Sequence, residues 1–249
     1  MNMKEGIIIN LYNDSMLELA ENQLLSFKNV GITKYLSFTT GEYSYNYLKE
    51  KGYNVVLYNT DDLQLELQWG SDKFIDMVRL RFKLISELLI DYKSVFYLDV
   101  DIVLLKNIEP FFETNIDKCL YIQHDLNMPC IGCMLLHKND ILCNMLNEII
   151  AFANGNTSLQ IIFSHFVKRY NLDFDFFPIE TFPNGLIFFG ENNIIMNEGN
   201  KQLLKLTTNN RIITKNNFDN KKIFLIHANY MTGTESKKKA FNDFNLWYL

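Results

Sequence analysis

An apolar, β-rich run at residues 95–105 is interrupted by two carboxylates, Asp99 and Asp101. Aliphatic and aromatic residues without helical periodicity flank them, which predicts a strand buried on both faces of a sheet. Side chains two residues apart on an extended strand point to the same side. We therefore expect both carboxylates at the carboxyl end of this strand, the edge where open α/β sheets bind their ligands.

Two neighbouring carboxylates raise each other's pKa unless a cation lies between them. The sequence therefore favours a divalent-metal site at Asp99 and Asp101, since charge in a buried setting is typical of functional sites. A purely structural alternative is that these acids cap the strand or pair with Lys106.

The composition narrows the class of protein. A chain of 249 residues is long enough for one large α/β domain or two small ones. Its net charge is -5, whereas nucleic-acid-binding proteins usually have an excess of basic residues, so no nucleic-acid partner is expected. No stretch has the length of a membrane span, and residues 1–13 lack the features of a signal peptide, so a cytoplasmic protein is expected.

The four cysteines include a Cys-x-x-Cys pair, Cys130 and Cys133, with Cys119 and Cys143 on either side. Zinc and redox sites share this spacing, but a second such pair is absent from the sequence, and Cys133 continues into an apolar run. We expect buried reduced thiols, with a metal or redox centre as the alternative.

Strand and helix patterns alternate through the first part of the chain. The pattern predicts strands at 6–11, 33–39 and 53–58, with helices at 13–31 and 41–50. This βαβαβ order predicts a parallel sheet, and a helix at 71–91 leads into the acidic strand. A glycine-rich loop does not follow the first strand, which argues against a dinucleotide-binding Rossmann domain.

In the second part of the chain, the pattern of apolar residues predicts strands at 120–124 and 131–137 and helices at 140–153 and 159–169. Near the C-terminus an apolar strand ends at His227, and a loop containing Gly233 opens a helix with Lys237 in its first turn. A lysine there opposes the helix dipole. An anion bound by free backbone N–H groups and this ammonium would explain it. The alternatives are an exposed basic cluster at 237–239 and a merely polar strand end at His227.

Together these segments resemble a known family. The run at 95–105 resembles the DxD strand of GT-A glycosyltransferases, and the tail at 227–237 is similar to the closing motif of the nucleotide-diphospho-sugar transferase family. The helix at 71–91 and the Phe-Pro-Asn-Gly turn at 182–185 also resemble that family, whose logic glycogenin-like enzymes share. The resemblance extends over nearly the whole chain.

The resemblance implies a single α/β domain of the GT-A fold, Rossmann-like, with a mostly parallel central sheet flanked by helices and a smaller mixed acceptor-side region. Residues 1–105 would form the nucleotide-binding half, and residues 106–249 the acceptor side and the C-terminal metal and diphosphate motif. The implied activity is retaining transfer of a sugar from a nucleotide-sugar donor, with UDP as the expected nucleotide, to a glycan or other hydroxyl acceptor. Segments 170–182 and 192–220 are the expected acceptor-facing parts.

The resemblance also implies ligands for the donor. Asp99, Asp101 and His227 would hold a metal ion, Mn²⁺ or Mg²⁺, and Asp99 would touch the ribose or reach the metal through water. Gly233 and Lys237 would hold the diphosphate as it leaves.

Further roles are implied for six other residues. The base would lie near Asn10 and Tyr12, and the donor sugar or phosphates near Arg79 or Lys83. The family commonly carries an Asp-Gln pair in the middle of the chain, and Gln160 matches its second residue, whereas leucine replaces the acid. Gln160 would lie near the reacting sugar face, and Asp125 is the alternative sugar contact. The sequence does not assign a nucleophile.

Two other classes of function remain open. Haloacid-dehalogenase-type phosphatases also begin with a DxD strand, but they need a further acidic pair, for which Asp173 and Asp175 lack the context. A catalytically silent sugar-nucleotide or glycan-binding module would explain the missing acid before Gln160.

Overall fold

The computed structural model describes residues 3–58, 72–125, 128–152, 158–189 and 222–249. Its strands are β1 Lys4–Tyr12, β2 Tyr35–Thr39, β3 Val55–Leu57, β4 Tyr92–Leu98, β5 Ile102–Leu104, β6 Leu120–Asp125, β7 Met128–His137, β8 Phe174–Phe176 and β9 Leu225–His227. Its helices are α1 Leu17–Val30, α2 Glu42–Glu50, α3 Asp72–Asp91, α4 Phe111–Thr114, α5 Asp140–Phe152, α6 Leu159–Arg169, α7 Gly185–Phe189 and α8 Thr234–Asp243.

Seven strands form one mixed sheet in the order β3-β2-β1-β4-β7-β6-β8. Strands β1 to β4 are parallel, because α1, α2 and α3 carry the chain back between them. Strand β7 runs antiparallel to β4 and β6, and β8 is parallel to β6. The predicted α/β class with a mostly parallel sheet is therefore confirmed.

Helices cover both faces of this sheet. One hydrophobic cluster contains α3, α5 and α6, and the other contains α1, α7 and α8. Along β4, Val95 and Tyr97 face the first cluster, whereas Phe96 and Leu98 face the second. This alternation explains why β4 is apolar on both faces, as the sequence predicted.

Asp99 directly follows β4, as predicted for the carboxyl end of a strand, but the extended backbone expected through Asp99 and Asp101 is wrong. The chain turns after Leu98, and β5 pairs instead with β9 in a separate two-stranded antiparallel sheet. The main-chain carbonyl of Asp99 accepts hydrogen bonds from the Gln23 side chain, at 2.7 Å, and from the N–H of Ile102, at 3.2 Å. These bonds replace ladder pairing and hold the two acids in a turn.

The other long elements lie close to their predicted ranges. Helix α1 ends at Gly31, whose φ of 75° allows the left-handed conformation that terminates helices. Helix α6 has its predicted bounds, and α5 begins at its predicted residue. The predicted acceptor-facing segment at 192–220 lies outside the described residues. Among those described, no helix combines the length and apolar character needed to cross a bilayer.

Candidate active site

Three elements bring Asp99, Asp101 and His227 together. Asp99 directly follows β4, Asp101 lies in the turn before β5, and His227 ends β9. Ile102 is paired with His227 in the β5–β9 ladder, and the N–H of Ala228 donates to the carbonyl of Asp101 at 2.8 Å. One carboxylate oxygen of each acid and one imidazole nitrogen lie within 4.8 Å of one another.

Asp101 is a buried carboxylate with a basic side chain beside each oxygen. Its Oδ1 lies 3.2 Å from His227 Nε2, and its Oδ2 accepts a hydrogen bond from Lys237 Nζ at 2.7 Å. Burial opposes its charge, but the Lys237 ammonium and the neighbouring His227 imidazole still hold the pKa of Asp101 well below its ordinary value. Lys106, the partner in the structural alternative, instead places its ammonium 5.0 Å from the Phe224 ring centroid.

Hydrogen bonds from residues of α3 and β4 hold the Asp99 carboxylate. Its Oδ1 accepts hydrogen bonds from Arg81 Nη2 at 2.7 Å and from the Tyr97 hydroxyl at 2.9 Å. Arg81 also donates from Nη1 to the Ile131 carbonyl at 2.8 Å, and its guanidinium stacks over the Tyr97 ring. The other oxygen of Asp99 accepts no hydrogen bond from any residue in the described ranges, so it is available to a ligand.

The sequence resemblance predicted that Arg79 or Lys83 on α3 contacts the donor, and it did not identify Arg81. Lys83 is exposed and lies 4.0 Å from Glu87, whereas Arg79 is half-buried. Arg81 precedes the buried Ile85 by one helical turn, so it occupies the apolar stripe of the helix. A charged residue within that stripe was the signal that could have identified it.

Gly132 makes room for two of the three candidate ligands. A Cβ atom at this position would lie 2.4 Å from Asp99 Oδ2 and 2.8 Å from His227 Cε1. A side chain on this residue of β7 would therefore displace both groups.

Gly132→Ala is accordingly expected to abolish stabilisation by Mn²⁺ and to cost about 1–3 kcal/mol of folding stability through overpacking. Gly6→Ala is the matched control, because its Cβ would lie 2.4 Å from the buried Phe112 ring, away from the site. Thermal unfolding with and without Mn²⁺ should show a stability loss for both variants and a loss of the metal effect for Gly132→Ala alone. An equal metal effect in both would contradict the prediction.

Asn10 and Tyr12 lie inside the protein. Asn10 is 1% exposed and Tyr12 is 0% exposed. The Ser37 hydroxyl donates to Asn10 Oδ1 at 2.8 Å, and Asn10 Nδ2 donates to Gln23 Oε1 at 2.7 Å. Asn10 therefore supports the Asp99 turn through Gln23, which holds the Asp99 carbonyl. Contact of Asn10 or Tyr12 with a base stays a prediction.

Asp125 and Gln160 meet at the end of β6. Gln160 Nε2 donates to Asp125 Oδ2 at 2.8 Å, and the Tyr230 hydroxyl donates to Asp125 Oδ1. Burial and the Asp125 carboxylate raise the pKa of Tyr230 above its ordinary value, so the phenol stays protonated. Tyr230 has a φ of 66°, a left-handed conformation that is uncommon for a bulky residue and typical of functional sites. Sequence reasoning did not identify Tyr230.

The basic run at 237–239 is divided between the site and the surface. Lys237 points to Asp101, whereas Lys238 pairs with Glu18 at 2.7 Å and Lys239 with Asp243 at 2.6 Å. Helix α8 follows Gly233, which has a φ of 82°, and among the described residues no side chain caps its first N–H groups. Binding of an anion by Lys237 and this helix start stays a prediction.

All four cysteines are free thiols. Cys130 and Cys133 are buried, and burial raises the pKa of both. Cys119 and Cys143 are partly exposed. Cys130 borders the site, with its Sγ 3.8 Å from His227 Nδ1.

Solved structures with this architecture are GT-A glycosyltransferases. The galactosyltransferase LgtC, in complex with donor and acceptor sugar analogues, matches 97% of this chain and 95% of its own at a TM-score of 0.58 and 13% identity. Mouse xyloside xylosyltransferase 1 matches 90% of this chain and 98% of its own at a TM-score of 0.56 and 12% identity. The fold of this chain is therefore the GT-A fold, as the sequence resemblance implied.

The chain belongs to the nucleotide-diphospho-sugar transferase family, whose model matches residues 30–241. A relative, the UDP-galactose:fucoside alpha-3-galactosyltransferase of Dictyostelium discoideum, is 28% identical over 204 residues. That match covers 80% of this chain and 26% of the relative, so this chain spans only part of the relative's length. The predicted family and the predicted fold are both confirmed.

Proposed function

We propose that this chain transfers a sugar from a UDP-linked donor to a hydroxyl group of a glycan or glycoconjugate, in a metal-dependent reaction that retains the anomeric configuration. The observation that carries the proposal is the convergence of Asp99, Asp101 and His227 beside Lys237. Family membership supports a nucleotide-sugar donor. The relative's name supports UDP and retention, since UDP-galactose is an α-glycoside and that enzyme forms an alpha linkage.

The three converging residues fit a divalent cation. Asp99 Oδ2 is free of hydrogen bonds from the described residues, and Asp101 Oδ1 faces His227 Nε2 at 3.2 Å. Two carboxylates and an imidazole suit Mn²⁺, with Mg²⁺ as the alternative. Such a cation, when bound, neutralises diphosphate charge and favours departure of the nucleotide.

Lys237 and the start of α8 would hold the diphosphate. The Lys237 side chain is 21% exposed, so its ammonium reaches both Asp101 and the space in front of the site. The uncapped N–H groups that follow Gly233 add partial positive charge. Negative charge grows on the diphosphate as the glycosidic bond breaks, so groups placed here stabilise the transition state more than the ground state.

Asp125 and Gln160 would contact the donor sugar. Gln160 and Tyr230 each donate to Asp125, so its carboxylate is fixed and keeps acceptor capacity for sugar hydroxyls. On the opposite side, Arg81 would orient Asp99 toward the donor, and Arg79 would lie near its phosphates or sugar. Lys83, which is exposed, is the alternative to Arg79 for this contact. A protein nucleophile is not part of the proposal.

Thermal unfolding with a panel of nucleoside diphosphates tests the donor site. A ligand at a hundred times its dissociation constant adds about 2.7 kcal/mol of stability, so UDP with Mn²⁺ should raise the Tm visibly. GDP and ADP with Mn²⁺ are the matched controls, and hydrolysis of UDP-sugars in the same samples reports catalysis. No response to any nucleotide would overturn the proposal. Binding without hydrolysis or transfer would favour the silent module, and hydrolysis of phosphomonoesters would favour a phosphatase.

A further inference from the structure

Gln123 is a buried amide on β6 whose orientation is fixed by its neighbours. Its side chain is fully buried, and its Nε2 donates to the carbonyls of Phe182 at 3.2 Å and Pro183 at 3.0 Å. A backbone carbonyl can only accept hydrogen bonds, so the amide nitrogen must face these two oxygens. The amide oxygen must therefore point the other way.

That oxygen faces His227. Gln123 Oε1 lies 2.7 Å from His227 Nδ1, and an amide oxygen can only accept. The hydrogen of a neutral His227 must therefore be on Nδ1, which leaves the lone pair on Nε2. The Nε2 atom is the one that faces Asp101 Oδ1, at 3.2 Å.

We infer that Gln123 is a positioning residue for the proposed metal site: it selects the His227 tautomer that presents the Nε2 lone pair beside Asp99 and Asp101. This inference rests on the proposed function. Metal-binding histidines generally donate their second ring N–H to a carbonyl or carboxylate, which fixes the ring and its tautomer. The Cys130 thiol, at 3.8 Å from the same nitrogen, is a weaker acceptor than the amide.

The inference also gives a role to the Phe-Pro-Asn-Gly turn. The carbonyls of Phe182 and Pro183 hold Gln123, and Gln123 holds His227. The turn thus connects to the site through hydrogen bonds, although none of its residues is a candidate metal ligand.

Gln123→Met tests this role, because methionine keeps the volume and removes the acceptor. We expect its Mn²⁺ affinity to fall about 10–100-fold, the usual effect of losing an outer partner of a metal-binding histidine. Gln123→Glu retains an acceptor for Nδ1 but loses both donors to the turn, so it should lose stability and bind Mn²⁺ within about threefold of the wild type. Free Mn²⁺ measured by electron paramagnetic resonance, without and with UDP, reports this affinity directly.

Asn184→Ala is the matched control for a merely structural effect. Asn184 is also a buried amide in this turn, where it donates to the His124 carbonyl at 3.1 Å and accepts from the Ile187 N–H at 3.0 Å. We expect this variant to lose stability while keeping wild-type Mn²⁺ affinity. Equal losses of Mn²⁺ affinity in Asn184→Ala and Gln123→Met would overturn the inference.

A measurement on the wild-type protein does not depend on how the variants fold. Nitrogen-15 NMR of the imidazole rings, with His227→Gln for assignment, should show neutral His227 protonated on Nδ1. A neutral ring protonated on Nε2 would overturn the inference. If Gln123→Met binds Mn²⁺ as tightly as the wild type does, the inference is overturned but the proposed metal site is not. If the wild type does not bind Mn²⁺, both the inference and the proposed metal site are overturned.

Discussion

Asp101→Asn is expected to lower kcat/KM for Mn²⁺-dependent sugar transfer by about 10³-fold or more, because a bound metal contributes several kcal/mol of transition-state stabilisation. The asparagine keeps the shape of Asp101 but removes the charge that faces His227 and Lys237. It should also weaken Mn²⁺ binding measured without nucleotide. Steady-state kinetics over a range of Mn²⁺ concentrations would show whether the loss can be overcome by added metal.

Asp91→Asn is the matched control for this substitution. Asp91 is an exposed carboxylate that directly precedes β4, whereas the proposed ligand Asp99 follows the other end of that strand. Surface substitutions of this kind usually change stability by less than about 0.5 kcal/mol, so activity and Mn²⁺ affinity should both remain at the wild-type level. Full Mn²⁺-dependent activity in Asp101→Asn would exclude this carboxylate as a ligand.

The local parts of the fold were predictable from the sequence because their signals are local. The period of apolar residues and the glycine at position 31 identify α1, and the strand–helix alternation identifies the parallel half of the sheet. The break between β4 and β5 was not predictable in this way. It depends on Gln23, which binds the Asp99 carbonyl, and on pairing of Ile102 with His227, both distant in sequence.

The same distinction applies to the candidate site. The two acids and His227 stand at strand ends, where polar residues after an apolar run are visible in the sequence. Arg81, Gln123 and Tyr230 were missed because their importance lies in the partner that each reaches across the fold. Choosing Arg81 over Lys83 requires the rotational phase of α3 relative to the sheet, which the apolar stripe of the helix indicates but the charge of the two residues does not.

Lys237→Met is expected to have opposite effects on two binding steps. The Lys237 ammonium lies 2.7 Å from Asp101 Oδ2, so it competes with a cation for that carboxylate. Removing it should make Mn²⁺ alone bind more tightly. The same change removes a positive charge from the proposed diphosphate site, so UDP with Mn²⁺ should bind more weakly and transfer should slow by about 10²-fold.

Lys238→Met and Lys239→Met provide matched controls on the same helix. Both lysines form surface ion pairs, which solvent screens, so neither binding step should change. Titrations of Mn²⁺ with and without UDP would separate the two effects. Parallel losses of both affinities in Lys237→Met would mean that this lysine only supports the fold around Asp101. Opposite changes would mean that its ammonium neutralises Asp101 until metal arrives and then acts on the diphosphate, so one side chain would serve both the empty and the loaded site.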